Sequence, residues 1–201
     1  MFKKCLVASL FIVFTPPVFA ITPAPYAGFA FGLNNTYWTL QNPLSGKTNF
    51  NGNGKTLKLL GGISALLAPT FSMAGEVFVS DTSTQTGTRA LDDNGLNASA
   101  RETYSYGLSV LPGYLLTPDT TLYARLGLVR AHFEINTKPG NSANDTITGG
   151  QTGVGLALAL SKNLSLRGEY NYNFYQTYNA LNYSIASNAS QLSVAFVYKF
   201  I

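Results

Sequence analysis

The chain has 201 residues, of which 11% are charged and 46% hydrophobic, with a formal net charge of +4. The length suits a single domain, and the charged fraction lies far below the roughly 25% of typical soluble domains. The basic residues are scattered rather than clustered, which argues against a nucleic-acid partner. One histidine and one cysteine exclude a His/Cys metal centre, and no sequence motif points to a cofactor.

The N-terminus has the features of a secretory signal. Two lysines precede an apolar stretch over 6–14, and Ala20 ends a tripeptide suited to signal peptidase. Such a stretch is too short to remain as a membrane helix. We predict a cleaved signal peptide over 1–20 and one domain over 21–201, which contains no cysteine because Cys5 is removed. Cleavage leaves 11 basic and 9 acidic residues, so the net charge falls to +2.

Beyond the signal, eight segments alternate between apolar and smaller or polar residues with a period of two. A strand that crosses a bilayer needs ~9–11 residues, with alternate side chains facing lipid and lumen. The abundance of glycine and aromatic residues favours such strands over helices. In chain order, the predicted strands cover 26–40, 56–67, 71–80, 101–116, 121–135, 146–160, 164–176 and 189–201.

The connections between these segments alternate between long and short. Long polar connections cover 41–55, 81–100, 136–145 and 177–188, and short turns cover 68–70, 117–120 and 161–163. An even number of antiparallel strands can close on itself and leave no unpaired edge in lipid. We therefore predict an all-β fold, an eight-stranded antiparallel up-and-down transmembrane β-barrel with external loops and periplasmic turns and termini.

Charged residues inside the predicted strands test this interpretation, because a Lys or Arg facing lipid at mid-bilayer costs roughly 2–4 kcal/mol. Six of them lie opposite the apolar face: Lys58, Glu76, Arg125, Arg167, Glu169 and Lys199. We expect four to form an ion-pair network in the lumen, either as a satisfied polar core or as the gate of a narrow pore: Glu76, Arg125, Arg167 and Glu169. The small inward face of the sixth strand, which includes Gly153 and Gly155, leaves room for them.

Two features depart from simple alternation. Arg130, His132 and Glu134 lie on the apolar side of the fifth strand, so we place them at the outer rim, although a bulge that resets the register would also explain them. Pro112 cannot donate to a strand ladder, so a bulge or an early strand end is expected there.

Three short motifs occur in order along the chain: Pro25-Tyr26-Ala27-Gly28, Leu122-Tyr123-Ala124-Arg125-Leu126-Gly127 and Arg167-Gly168-Glu169-Tyr170-Asn171-Tyr172. In their order, these motifs resemble the small outer-membrane β-barrel family. That family includes the OmpA transmembrane domain, OmpX and the neisserial opacity and surface proteins. The resemblance covers the whole mature chain and implies location in the bacterial outer membrane, with its lipids and lipopolysaccharide as partners.

The C-terminus resembles the assembly signal of such barrels. Ser193, Ala195, Tyr198 and Phe200 match its pattern, with alanine in place of the usual glycine and Ile201 after the final aromatic residue. The resemblance implies the barrel-assembly machinery as a partner during insertion.

Several functions remain open at this point. Loops on a rigid scaffold commonly carry binding, so the external loops indicate either adhesion to a host or cell-surface ligand or a variable surface antigen. Arg101, Arg130 and Lys138 are expected near the rim, where they could contact lipopolysaccharide phosphates.

The alternatives are a narrow channel for ions or small solutes and a lipid A-modifying enzyme. Barrel deacylases place a serine two residues after their histidine, but here Glu134 follows His132 at that spacing. We therefore assign no catalytic residue. The sequence predicts a non-enzymatic surface barrel that contributes to envelope structure.

Overall fold

The computed structural model describes residues 23–42, 46–86, 89–90, 97–138, 141–180 and 183–200. Consecutive long strands pair antiparallel, and the first also pairs with the last, so the sheet closes. The predicted eight-stranded barrel is therefore confirmed, whereas the predicted signal peptide lies outside the described residues. The strands are β1 (Ala24–Asn42), β2 (Gly46–Ala68), β3 (Phe71–Thr86), β4 (Asn97–Thr117), β5 (Thr120–Lys138), β6 (Asn141–Ala159), β7 (Leu164–Tyr175) and β8 (Tyr183–Lys199).

Two short strand segments add to this sheet. Arg89–Ala90 pairs with β4, and Tyr178–Ala180 pairs with β8. Within the described residues, no helix is long and apolar enough to cross a bilayer.

Alternate residues of each strand face inward and outward, because successive side chains of a strand point to opposite faces. The outward set forms an apolar belt around the barrel, and the inward set is mostly polar. On one side of the belt, polar residues replace the apolar ones on the outward face, for example Asn35 after Leu33 and Arg130 after Leu128. On that side, the belt ends at Leu33, Leu57, Val79, Tyr104, Leu128, Val154, Phe174 and Leu192.

The predicted long loops are wrong in extent, because the strands continue well beyond the belt. β1 reaches Asn42 and β2 begins at Gly46, so most of the predicted 41–55 connection is paired strand. The same holds for parts of the other three long connections. Asn, Thr and Ser side chains can occupy either face where both are polar, and backbone pairing continues regardless of side-chain polarity.

The structure gives different outcomes for the two departures from alternation, at Pro112 and at the charged end of β5. β4 neither bulges nor ends at Pro112, which lies opposite Met73, and the β4–β5 pairing resumes at Gly113 without a register shift. The expected bulge or strand end at Pro112 is therefore wrong. β5 pairs with β6 without a shift, so Arg130, His132 and Glu134 face outward beyond the belt, as the rim interpretation predicts.

Candidate functional site

The four predicted lumen charges meet in the centre of the barrel. Nη2 of Arg125 donates to Glu76 Oε1 at 2.6 Å and to Glu169 Oε2 at 2.9 Å. Nη1 of Arg167 donates to the other oxygen of Glu76 at 2.9 Å. Arg125 is 1% exposed, so bulk solvent does little to screen these pairs. Three strands, β3, β5 and β7, thus converge on one ionic cluster.

Two tyrosines also donate hydrogen bonds to this cluster. The Tyr26 hydroxyl donates to Glu76 Oε2 at 3.0 Å, and the Tyr123 hydroxyl donates to Glu169 Oε2 at 2.8 Å. The guanidinium of Arg167 lies 4.7 Å from the Tyr26 ring centroid, a distance suited to a cation–π interaction. The sequence placed Tyr26 and Tyr123 in strands but gave no sign of these partners.

Lys58 is a fifth charge of the cluster. Its Nζ lies 4.0 Å from Glu169 Oε1 and 4.9 Å from the centroid of the Phe78 ring. We call these five residues the charged layer: Lys58, Glu76, Arg125, Arg167 and Glu169. The layer contains three cations and two carboxylates, so it carries a net charge of +1 when all five are ionised.

Glycines on β6 make space for the layer. A Cβ at Gly155 would overlap the ring of Tyr123, and a Cβ at Gly153 would overlap the Asn171 side chain. The small face predicted for this strand therefore leaves room for the Tyr123 ring and the Asn171 side chain.

A second buried carboxyl lies in the part of the lumen farther from the short turns. Glu102 is 2% exposed, and its Oε2 accepts hydrogen bonds from Asn34 Nδ2 at 3.1 Å and Thr36 Oγ1 at 3.2 Å. Asn34 Nδ2 also donates to Thr84 Oγ1 at 3.1 Å. Within the described part of the chain, no Lys or Arg forms an ion pair with Glu102. We call Asn34, Thr36, Thr84 and Glu102 the carboxyl layer.

A bulge at Thr103 explains why Glu102 faces the lumen. Simple alternation from Tyr104 and Tyr106, which face outward, would also turn Glu102 outward. The register of β4 shifts by one residue between Glu102 and Tyr104 against β5, and the pairing with β3 is also irregular between the same two residues. The extra residue reverses the parity of the strand beyond it. Alternation in the sequence therefore does not identify Glu102 as a lumen residue.

Aromatic side chains pack beside the carboxyl layer. Phe133 makes edge-to-face contacts with Trp38 and Tyr175, with ring centroids 6.4 Å and 5.3 Å apart. All three side chains are buried, and they fill the lumen between β1, β5 and β7. Among the described residues, these three side chains therefore occupy the lumen on the external side of the charged layer.

The end of the barrel with the short turns is more open. A cavity of about 310 Å³ lies there, lined mainly by small or apolar side chains. Arg167 and Lys199 contribute its cations, and Asp119 contributes a carboxylate. Solvent can thus approach one side of the charged layer from the turn end.

The predicted rim residues occupy the outer surface beyond the belt. Arg101 and Arg130 are exposed, whereas the side chain of Lys138 lies outside the described residues. His132 stacks on Tyr104 with ring centroids 5.0 Å apart, and its Nδ1 lies 3.0 Å from Thr146 Oγ1. The hydroxyl beside the histidine therefore belongs to a threonine on the neighbouring strand.

The residues of the predicted assembly signal alternate as a strand requires. Ser193 and Ala195 face the lumen, and Tyr198 and Phe200 face outward with their ring centroids 5.3 Å apart. The amide of Phe200 donates to the carbonyl of Pro25 at 2.8 Å, which joins the two ends of the chain at the closing seam.

A closed barrel with an apolar exterior and a polar, ion-paired interior is the architecture of outer-membrane barrels. Residues 5–200 match the family described as the outer membrane protein beta-barrel domain. The chain belongs to this family. It is therefore an outer-membrane barrel, with the apolar belt in the bilayer and the turn end toward the periplasm.

Solved structures include similar barrels at low identity. Ail, the attachment invasion locus protein of Yersinia pestis, is 15% identical, with 86% of this chain and 98% of that chain covered and a TM-score of 0.42. Neisserial surface protein A is 16% identical, with 86% and 97% covered and a TM-score of 0.48. The outer membrane protease OmpT of Escherichia coli is 11% identical, with 92% and 100% covered and a TM-score of 0.49. At these values the likenesses say nothing about function.

No curated protein matches the chain.

The position of the belt separates the two buried layers of this outer-membrane barrel. Glu102 lies beyond Tyr104, the last belt residue of β4 on the external side, so it is outside the membrane-spanning segment. Burial raises the pKa of Glu102 from 4.5 to about 7, and the hydrogen bonds from Asn34 and Thr36 limit the rise. The charged layer, in contrast, lies at the height of the belt.

Proposed function

We propose that this barrel is a non-enzymatic surface protein that contributes to envelope structure and carries adhesive loops at its external end. The observation that supports this most directly is the packed lumen. An eight-stranded barrel has an interior just wide enough for side chains to fill. Here ion pairs fill its centre, and Trp38, Phe133 and Tyr175 fill its external part. Such an interior suits a rigid scaffold better than a passage.

The external strand extensions support the adhesive part of the proposal. β4 continues for seven residues beyond Tyr104, to Asn97, which corresponds to roughly 23 Å of strand. Paired extensions of this kind hold the connecting loops away from the lipid headgroups, where a ligand on another cell can reach them. Loops on a rigid scaffold are common sites of binding.

The rim and the chain ends complete the proposal. Arg101, Arg130 and Lys138 contact lipopolysaccharide phosphates, because a guanidinium pairs well with phosphate. The signal over 1–20 directs export, and the C-terminal residues 193–200 engage the barrel-assembly machinery.

The adhesive role is tested by replacing 91–96 with Asn-Gly in cells that display the barrel. A matched control variant carries the same replacement at the periplasmic turn 118–119. We expect adherence to host cells or matrix to fall to the level of cells without the barrel for the external variant alone. Both variants should keep the heat-dependent gel mobility of a folded barrel. Unchanged adherence of the external variant would exclude an adhesive role for the connection that contains 91–96. The envelope role is tested separately by detergent sensitivity. If cells that lack the barrel are no more sensitive to detergent than cells that carry it, the envelope role is excluded.

A narrow channel is the second candidate. Arg125 contacts both carboxylates through Nη2 alone, so its guanidinium has other edges through which it could change partners. Planar-bilayer recordings test this candidate: reproducible single-channel steps that R125M alters would favour a channel, and their absence would exclude it.

Lipid A mass spectrometry with and without the protein tests for an enzyme, since a mass change would overturn the non-enzymatic proposal.

A further inference from the structure

The charged layer contains more positive than negative charge. Glu76 and Glu169 are shared among Arg125, Arg167 and Lys58, and all five side chains are buried. An uncompensated buried charge carries a large desolvation penalty. The geometry also shows where the excess lies, because Lys58 Nζ is 4.0 Å from its carboxylate, too long for a hydrogen bond.

Three hydrogen-bond donors of the charged layer lack an acceptor among the residues that the structure describes, which is consistent with an excess of positive charge. Within the described residues, Lys58 Nζ, Arg125 Nε and Arg125 Nη1 are buried and have no hydrogen-bond partner. Buried charged donors without an acceptor are rare in folded proteins. The unused donors belong to the two cations that share Glu169.

A small void lies beside these cations. It measures about 10 Å³, and Lys58, Arg125, Arg167 and Glu169 are among the side chains that line it. A volume of about 10–15 Å³ is close to the least that a single water-sized particle needs. The flexible end of Lys58 can adjust to a somewhat larger occupant.

We propose that this void is a binding site for one small monovalent inorganic anion, with chloride as the natural probe. Such an anion cancels the net charge of the layer and accepts hydrogen bonds from Lys58 and Arg125. A water molecule would accept the same bonds but would leave the charge uncompensated. The site is built into the barrel wall and lumen, and it is independent of any ligand of the external loops.

The test measures how chloride affects folding of the mature barrel in detergent micelles. Urea unfolding is followed through the single tryptophan, Trp38, in sodium chloride and in sodium gluconate at equal ionic strength. Gluconate is too large for the void, so it serves as the non-binding salt. Above the dissociation constant, one site predicts that the unfolding equilibrium constant falls about tenfold for each tenfold rise in chloride.

Two lysine variants show whether the effect comes from this site. K58M removes the excess charge, so its stability should not depend on chloride, and in gluconate it should exceed that of the wild type. K199M makes the same change at the periplasmic end and should keep the full chloride dependence. A wild type that responds equally to chloride and gluconate overturns the proposal, as does a K58M variant that keeps the wild-type response.

If K58M does not fold, the anion site can be tested directly on the wild-type barrel by anomalous scattering. Crystals of the wild-type barrel grown in sodium bromide should show an anomalous peak within hydrogen-bonding distance of Lys58 Nζ and Arg125. Absence of that peak overturns the proposal in favour of a water molecule or of an uncharged Lys58.

Discussion

Glu169 and Glu102 are both buried in the lumen, at 8% and 2% relative exposure, but their surroundings differ. Glu169 contacts Arg125 and lies near Lys58, whereas Glu102 accepts hydrogen bonds only from uncharged groups among the described residues. Glu169 belongs to the charged layer at the height of the bilayer, and Glu102 belongs to the carboxyl layer beyond it.

The difference shows two ways to bury a carboxyl group. One keeps the charge and supplies opposite charges, which stabilises the pair only if each partner remains in place. The other supplies a few neutral donors and favours the protonated acid. The first should make the charged layer sensitive to the loss of a closely paired member such as Arg125, and the second should make the carboxyl layer sensitive to pH.

The largest expected effect is the loss of Arg125 from the charged layer. R125M leaves Glu76 paired with Arg167, whereas Glu169 keeps only the distant Lys58 as a cationic partner among the described residues. Removing one partner of a buried ion pair costs about 3–5 kcal/mol, because the other charge stays buried. We expect the free energy of unfolding, measured by urea titration in micelles, to fall by that amount.

R130M is the matched control, since Arg130 lies on the same strand but is exposed at the rim. Its effect should stay within about 0.5 kcal/mol. Equal losses for the two variants would mean that the ion pairs of the charged layer contribute nothing beyond the loss of an arginine side chain.

The next effect concerns pH and the carboxyl layer. The folded pKa of Glu102, about 7, lies above its unfolded value of 4.5. Its contribution to stability is therefore fully present below pH 4.5 and is lost as the pH rises through 7. Between these limits, the stability of E102Q relative to the wild type should rise by about 3 kcal/mol.

Measuring this difference at each pH removes the contributions of the other titrating groups. E134Q serves as control, because Glu134 lies on the outward face of β5 and is partly exposed. The change with pH should be larger for E102Q than for E134Q. A difference between E102Q and the wild type that is constant with pH would contradict the assignment of a protonated Glu102.

The contrast between the layers also marks the limit of sequence-based prediction. Alternation predicted the inward faces of Glu76, Arg125, Arg167 and Glu169 because, within the bilayer, the two faces meet different solvents. Beyond the belt both faces are polar, so alternation carries no information there. The long external strand extensions and the inward turn of Glu102 at the Thr103 bulge could therefore not be read from the sequence.

Pairing partners within the lumen were also beyond the reach of the sequence. Tyr26 and Glu76 are fifty residues apart, and their contact depends on the stagger of the closed barrel. Lys58 was placed on the inward face, but its approach to Glu169 follows from the same stagger. Which charges meet is a property of three-dimensional closure, whereas which charges face inward is a property of each strand.

The smallest expected effect tests whether the two layers are independent. In G155A the new methyl group displaces the Tyr123 ring and disturbs its hydrogen bond to Glu169. Overpacking of this kind costs about 1–3 kcal/mol. G168A is the control, because a Cβ at Gly168 meets no atom within 4 Å, and alanine in a strand is no worse than glycine.

Substitutions in the charged layer and in the carboxyl layer should act independently, because the two layers are far apart along the barrel. Tyr26 and Asn34 contact different layers and lie eight residues apart on β1, which is roughly 26 Å along the strand. Changes so far apart should add within about 0.5 kcal/mol. The double variant G155A/E102Q should thus show the G155A loss at every pH together with the unaltered pH dependence of E102Q. A coupling larger than that would mean that the charged and carboxyl layers form one continuous network through the polar side chains between them.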